Sequence, residues 1–195
     1  MNPSDRPTSA SLLVRIRDKD EEAWRRLVHL YGPLVDRWCG HRGVRGQDAD
    51  DVRQEVFQAV ATGLDGFRRD RPGDTFRGWL RGITRFKLLD HFRRRQAHPE
   101  AQGGTDAHLR LQQQVADEDL PDDTADDLGG LYRRALELVR GEFEPQTWDA
   151  FWRTAVEGQS PTDIATQLGV TPAAIRKAKS RVLLRLRQEI GDLIA

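Results

Sequence analysis

A single cysteine, Cys39, stands in a chain of 195 residues, so no internal disulfide framework is available. One thiol fits a reducing cytoplasm. Long apolar runs are missing as well. The first charge-free apolar run is Leu12-Leu13-Val14, too short for the core of a signal peptide and far below the ~20 residues of a membrane span. The expectation is a soluble, cytoplasmic protein with no membrane partner. Lysine is scarce, four against 27 arginines, an imbalance that fits GC-rich coding and carries little mechanism. The five histidines, at 29, 41, 91, 98 and 108, form no ligand spacing, and Cys39-Gly40-His41 reads as a surface or core pair rather than a metal site. No metal, cofactor or catalytic constellation is expected.

Net charge is absent too, because 31 basic and 31 acidic groups cancel. The sum hides a segregation. Residues 1–95 carry 20 basic and 14 acidic groups, residues 96–130 one and nine, and residues 131–195 ten and eight. Exposed charges act over a Debye length of about 8 to 10 Å, so two basic ends attract phosphates despite an acidic middle.

What is present is helical periodicity. Residues 1–10 are polar with two prolines and read as a disordered tail. From Ser11 to about Trp38 apolar residues repeat at three and four, with Gly32-Pro33 expected to break or kink the helix, and Gly40 to Gly46 reads as a loop. Asp48 to Leu64 places Val52, Val56, Phe57, Val60 and Leu64 on one side of a helix and Asp48, Asp51, Gln54, Glu55 and Gln58 on the other. That tidy polar face has three readings: a solvated surface, a metal or general acid-base site, or a docking face for a basic partner helix.

After the loop GFRRDRPGD, Asp74 or Thr75 caps a helix running to Arg95. Phe76, Trp79, Leu80, Ile83 and Phe86 form its expected core stripe. Arg77, Arg81 and Arg85 form an opposite stripe that Leu88 and Phe92 continue. Basic residues beside aromatics suit single-stranded nucleic acid, although such aromatics also serve as core. Residues 96–129 are polar and acidic, a composition that cannot bury enough surface to fold alone, and read as a flexible linker. Near Gly130 a second helical domain begins, with Trp148, Phe151 and Trp152 expected to bury against the helix pair at Ser160 to Gln188.

That pair consists of two capped helices joined by a tight turn. Ser160 and Pro161 with Asp163 give a capping box, Gly169 suits a left-handed helix end, and Thr171-Pro172 repeats the start signal. Ile175, Ala178, Val182 and Leu186 make the apolar stripe of the second helix, leaving Arg176, Lys177, Ser180, Arg181 and Arg187 outside it. Leu184 lies opposite that stripe without an evident partner. A basic second helix after a short turn is the helix-turn-helix arrangement that enters the major groove.

Taken in order, these pieces resemble the extracytoplasmic-function (ECF) branch of the sigma-70 family of bacterial RNA polymerase sigma factors. DADDVRQEVF is similar to the family's region 2.2, FRGWLRGITRFKLLDHFRRR to regions 2.3 and 2.4, and residues 147–188 to region 4. The resemblance implies an all-α protein of two helical domains, a region 2-like bundle over 11–95 and a region 4-like helix-turn-helix domain over 130–195, joined by the acidic linker 96–129. It implies that Asp48, Asp51, Gln54 and Glu55 dock on the clamp helices of the largest subunit of core RNA polymerase. It assigns Phe67, Arg68, Arg69 and Arg71, with Arg77, Arg81 and Arg85, to the non-template strand of the promoter −10 element, where a base is flipped out. It assigns Thr171, Ala173, Arg176, Lys177, Ser180 and Arg181 to the −35 element, where an arginine bonding a guanine bidentately is worth about 1 to 3 kcal/mol.

The linker would run toward the polymerase active-site channel or serve as a plain spacer, and an anti-sigma factor is a further partner that the resemblance admits. One departure stands out: where many members carry asparagine in an A-R-N sequence, this chain has Phe86. The expected function is promoter selection and −10 opening for core polymerase, with no catalysis by the chain itself. Its rivals are a helix-turn-helix regulator acting without sigma activity and a metal-dependent nucleic-acid enzyme built on the carboxylates of residues 48–55.

Overall fold

The computed structural model describes residues 11–68, 70, 74–97, 120 and 125–194, and every regular element among them is helical. Eight α-helices appear in order: α1 (Leu12–Arg17), α2 (Glu21–His41), α3 (Gln47–Gly63), α4 (Phe76–Ala97), α5 (Ala125–Arg140), α6 (Pro145–Ala155), α7 (Pro161–Leu168) and α8 (Pro172–Ile194), with a short 3-10 turn at Leu64–Gly66. Two compact units result. One takes in Trp24–Leu128 and Leu193–Ala195, the other Met1–Ala23 and Gly129–Asp192. The proposed tail, residues 1–10, and most of the proposed linker lie outside the described residues.

The first helical stretch breaks at a different place from the one expected. Lys19 has a positive φ of 59°, and Asp20 starts α2 by accepting from the backbone N–H groups of Glu22 (3.0 Å) and Ala23 (3.3 Å). Burial pushes the Asp20 carboxyl up, but the Arg15 guanidinium at 2.9 Å and those two N–H groups hold it below the ordinary carboxylate value. Pro33 then sits inside α2 without ending it. An interior proline costs about 3 kcal/mol. Six large side chains, Leu27, Leu30, Tyr31, Leu34, Val35 and Trp38, are buried along the same helix, and each contributes about 1.5 to 3 kcal/mol, so packing wins.

In the unit that begins at Trp24, α2, α3 and α4 share a core. Val52, Val56, Phe57 and Val60 of α3 are buried as the sequence pattern requires. Trp24 meets Phe57 edge-on at 6.2 Å and Tyr31 meets Phe76 at 5.2 Å. Cys39 is fully buried, and that burial, with Asp36 nearby, pushes its thiol up to about 12.

On α4 the expected core stripe is rotated. Phe76 and Leu80 are buried, but Phe86 is 71% exposed, whereas Leu88 and Phe92, placed by the sequence on the opposite stripe, are 3% and 5% exposed. The reason is Thr84. Its hydroxyl donates to the Leu80 carbonyl at 2.9 Å, so a polar residue sits fully buried in the true stripe. Judged by polarity alone, that position breaks the pattern.

α5 starts at Ala125, ahead of the expected boundary, with Asp126 and Asp127 in its first turn where the helix dipole favours acids. Asp127 is buried and pairs with Arg37 at 2.5 Å. In the second unit Ala150, Ile164, Ala165 and Ile175 form a core, with Leu168, Val170 and Ala178 packed on it. Phe151 is buried, but Trp152 is 38% exposed and Trp148 half-buried, so only one of the three aromatics goes fully inside. The two tryptophans stack at 6.4 Å along an open groove of about 800 Å³ beside α5.

Candidate nucleic-acid interface

The helix pair α7–α8 is built by local chemistry. Ser160 Oγ accepts from the Asp163 N–H at 3.1 Å and donates to its carboxylate at 2.8 Å. This carboxylate meets the capping hydroxyl rather than the backbone N–H of the usual capping box. Gly169 takes φ 66°, a left-handed conformation that suits glycine and turns the chain at the helix end. Thr171 Oγ1 accepts from the Ala174 N–H at 3.2 Å and opens α8.

Along α8, Ile175, Val182 and Ile190 are buried, and all six expected −35 residues, Thr171, Ala173, Arg176, Lys177, Ser180 and Arg181, are exposed. Leu184, 56% exposed, extends the outer surface one turn further. Arg185 differs from its basic neighbours. Its side chain is 11% exposed and pairs with Glu142 and with the buried Glu189 at 2.7 Å. Burial works against its charge, and the two glutamates more than offset that, holding it above the ordinary guanidinium value.

The loop before α4 forms a second feature. Phe67 is buried, its ring 5.9 Å from Phe76 and 5.0 Å from Trp79. It is therefore a wall rather than an exposed contact. A cleft of about 480 Å³ is lined by Phe67 and Trp79 together with Arg68, Asp70, Asp74 and Thr75. Trp79, assigned to the core from the sequence, is half-buried and lines this cleft. Thr75 caps α4, accepting from the Gly78 N–H at 3.0 Å. Arg68 curls back to the Asp65 carbonyl at 2.6 Å. Arg69 and Arg71 lie outside the described residues. Arg85 is exposed, whereas Arg77 and Arg81 are half-buried, so the three arginines do not form one outer stripe.

The polar face of α3 is partly covered from within. Arg94 Nη2 lies 2.7 Å from Glu55 and Arg95 Nη1 3.0 Å from Asp48, with Lys87 3.7 Å from Glu55 and His91 4.0 Å from Asp48. Sequence reasoning missed this meeting of the arginine end of α4 with the acids of α3, because the partners stand 39 and 47 positions apart. Burial pushes His91 below its ordinary value of 6.5; Asp48 opposes the shift, Arg95 and Arg94 add to it, and Glu55 opposes it. Asp51 and Gln54 remain exposed. Arg53 turns to the other side, bonding Asp36 at 2.7 Å and Asp50 at 2.7 Å.

Among the described residues these features define an all-helical protein with two candidate DNA surfaces, one at Phe67, Arg68 and α4 and one on α8. Residues 27–98 match the family Sigma-70 region 2. The chain is 32% identical over 181 residues to the ECF RNA polymerase sigma factor SigD of Mycobacterium tuberculosis, covering 88% of this chain and 78% of SigD. It is 27% identical to the RNA polymerase sigma factor CarQ of Myxococcus xanthus, covering 93% of this chain and 97% of CarQ. It is also 27% identical to the ECF RNA polymerase sigma factor ShbA of Streptomyces griseus, covering 96% and 97%. The chain belongs to the ECF RNA polymerase sigma factors of the sigma-70 family. Among the described residues no helix is long and apolar enough to cross a membrane.

Proposed function

We propose that this sigma factor selects promoters for core RNA polymerase through three contacts, the polymerase supplying the catalysis. The polar face of α3, Asp48, Asp51, Gln54 and Glu55, docks on the clamp helices of the largest subunit. The cleft at Phe67 and Trp79, with Arg68, Arg81 and Arg85, takes an unpaired base and its backbone from the −10 element. Extruding a base costs a few kcal/mol, and stacking returns about 1 to 3 kcal/mol per base, so phosphate contacts make up the difference. The exposed row on α8 enters the major groove at −35.

The observation that carries this reading is the pairing, in one chain, of a region 2 match over residues 27–98 with a doubly capped helix-turn-helix exposing Thr171, Ala173, Arg176, Lys177, Ser180 and Arg181. The internal ion pairs on α3 do not bar docking. Arg94 and Arg95 are 59% and 39% exposed, and exposed pairs are worth about 0 to 1 kcal/mol each.

The clean docking variants come from the same geometry. Glu55→Arg would set a cation against Arg94 and Lys87 and disturb α4, whereas Asp51 and Gln54 face outward. Asp51→Arg and Gln54→Arg are expected to weaken capture of core polymerase about tenfold while the thermal midpoint stays within a few degrees. Unchanged capture by both variants would contradict the docking assignment.

A further inference from the structure

Arg185 lies one turn beyond Arg181 on α8, about 40° round the helix from it, where an outstretched side chain would lengthen the exposed basic row. Instead it is 11% exposed. Its Nε and Nη2 donate to the two carboxylate oxygens of Glu142, at 2.5 and 2.9 Å, and Nη2 also lies 2.7 Å from Glu189 Oε2. Glu142 is itself held. It follows α5, and its backbone N–H donates to the Val139 carbonyl at 3.0 Å, while the N–H of Phe143 donates to the Arg140 carbonyl at 3.2 Å. A fork on α8 is thus fastened to a pinned turn 43 positions earlier.

Stripping one partner from such a cluster is costly, yet apolar side chains of similar volume in place of the whole cluster hold a fold at least as well. Stability therefore does not account for it. What a doubly bonded fork supplies is direction. Ile175, Val182 and Ile190 bury the apolar stripe of α8, but apolar contact is non-directional and leaves a helix able to roll. A roll of about 20° carries a side-chain tip at the helix rim, about 5 to 6 Å from the axis, through about 2 Å. Hydrogen bonds to base edges span only about 2.7 to 3.2 Å, so a reading row needs the rotation of its helix fixed.

We propose that Arg185 is the positioning residue of the duplex-reading helix: its fork on Glu142 and Glu189 sets the rotation at which Arg176, Lys177, Ser180 and Arg181 meet base edges. The proposal rests on the assignment of α8 to the −35 element and adds a device that tunes reading without touching DNA. Base contacts carry the sequence information, and phosphate attraction does not. Loss of the fork therefore reduces discrimination between sequences and leaves the salt-dependent, sequence-independent binding in place.

The test uses holoenzyme assembled from the full chain and core polymerase. Its probes are a promoter fragment whose start site that holoenzyme selects, and the same fragment with single base pairs exchanged within the −35 element. Wild type is expected to bind the intact fragment about tenfold or more tighter than the most damaging exchange. Arg185→Lys keeps the charge and loses the fork, and should lower that ratio to about threefold or less while the slope of log K against log salt stays unchanged. Arg185→Met combined with Glu142→Gln and Glu189→Leu should do the same, with a thermal midpoint within a few degrees of wild type. Arg185→Lys is read at a temperature where its circular dichroism matches wild type, so the comparison stands even if the triple variant does not fold.

Full wild-type discrimination by Arg185→Lys would overturn the proposal, because charge without direction would then suffice. Full discrimination by a folded triple variant would overturn it too. A salt slope lowered by about one in the triple variant would place Arg185 itself on a phosphate, with the same result. Wild type that discriminates against no −35 exchange would overturn the assignment of α8 and the proposal with it. Wild-type discrimination that both variants keep removes the positioning role alone.

Discussion

A basic residue on a helix reads DNA only to the extent that its charge is not already engaged inside the protein. Arg176 and Lys177 are exposed on α8, whereas Arg185, on the same helix, is paired with Glu142 and Glu189. Arg176→Ala and Lys177→Ala are therefore expected to weaken holoenzyme binding to −35 duplex, each lowering the slope of log K against log salt by about one. Arg185→Ala should leave that slope alone and instead cost on the order of 3 kcal/mol of stability, because it strips a partner from the buried Glu189. Titrations at several salt concentrations, with denaturant melts alongside, separate the two outcomes. Equal slopes for wild type and both outer variants would contradict the assignment of α8.

Sequence periodicity identified the outer row of α8 because that row depends on helical spacing alone. It could not single out Arg185, whose partner Glu142 lies 43 positions away. Phe86 was misplaced for another reason: the true stripe of α4 contains the polar Thr84, so apolarity alone favoured the stripe that ends at Phe86.

At the level of elements, what local chemistry controls was readable. The caps at Ser160 and Thr171, the turn at Gly169 and the span of α3 depend on neighbours within a few residues, and the structure has them where the sequence pattern requires. The continuation of α2 through Pro33 was not readable, because its cause is burial along the whole helix face. The start of α5 at Ala125 was missed because a run of aspartates reads as a solvated linker unless Arg37 is known to face it.

The seam between α3 and α4 gives a prediction of its own. His91 is 12% exposed and faces Asp48 and Glu55 of α3, with Lys87, Arg94 and Arg95 on its own helix. Its folded-state pKa is lowered from 6.5. Between those two values the unfolded chain binds a proton that the folded chain does not, so stability is complete above about pH 6.5 and declines as pH falls toward the lowered value. Urea melts across that interval should show a shallower pH dependence for His91→Gln than for wild type. An identical slope would mean that His91 is not desolvated in this seam.

At the scale of the whole molecule, zero net charge conceals two basic stretches separated by acid, and the family was legible because three motifs stood in the right order. A helix-turn-helix alone supports only a generic duplex binder. The region 2 match at residues 27–98 supports the proposal that α8 is one of two promoter contacts that act together on polymerase. The two proposed contacts were each suggested by the sequence. Their coupling was not, since it depends on a partner that holds both on one promoter.

Transcription in vitro puts that coupling to a direct test. Core polymerase is incubated with and without the purified chain on promoter fragments from the source genome, and transcript starts are mapped. Coupled contacts predict discrete starts that appear only with the chain and that are lost when either the −10 or the −35 element upstream is scrambled. Starts that are the same with core enzyme alone, or a chain that binds duplex DNA yet directs no new start, would contradict the coupling and leave a helix-turn-helix regulator in its place.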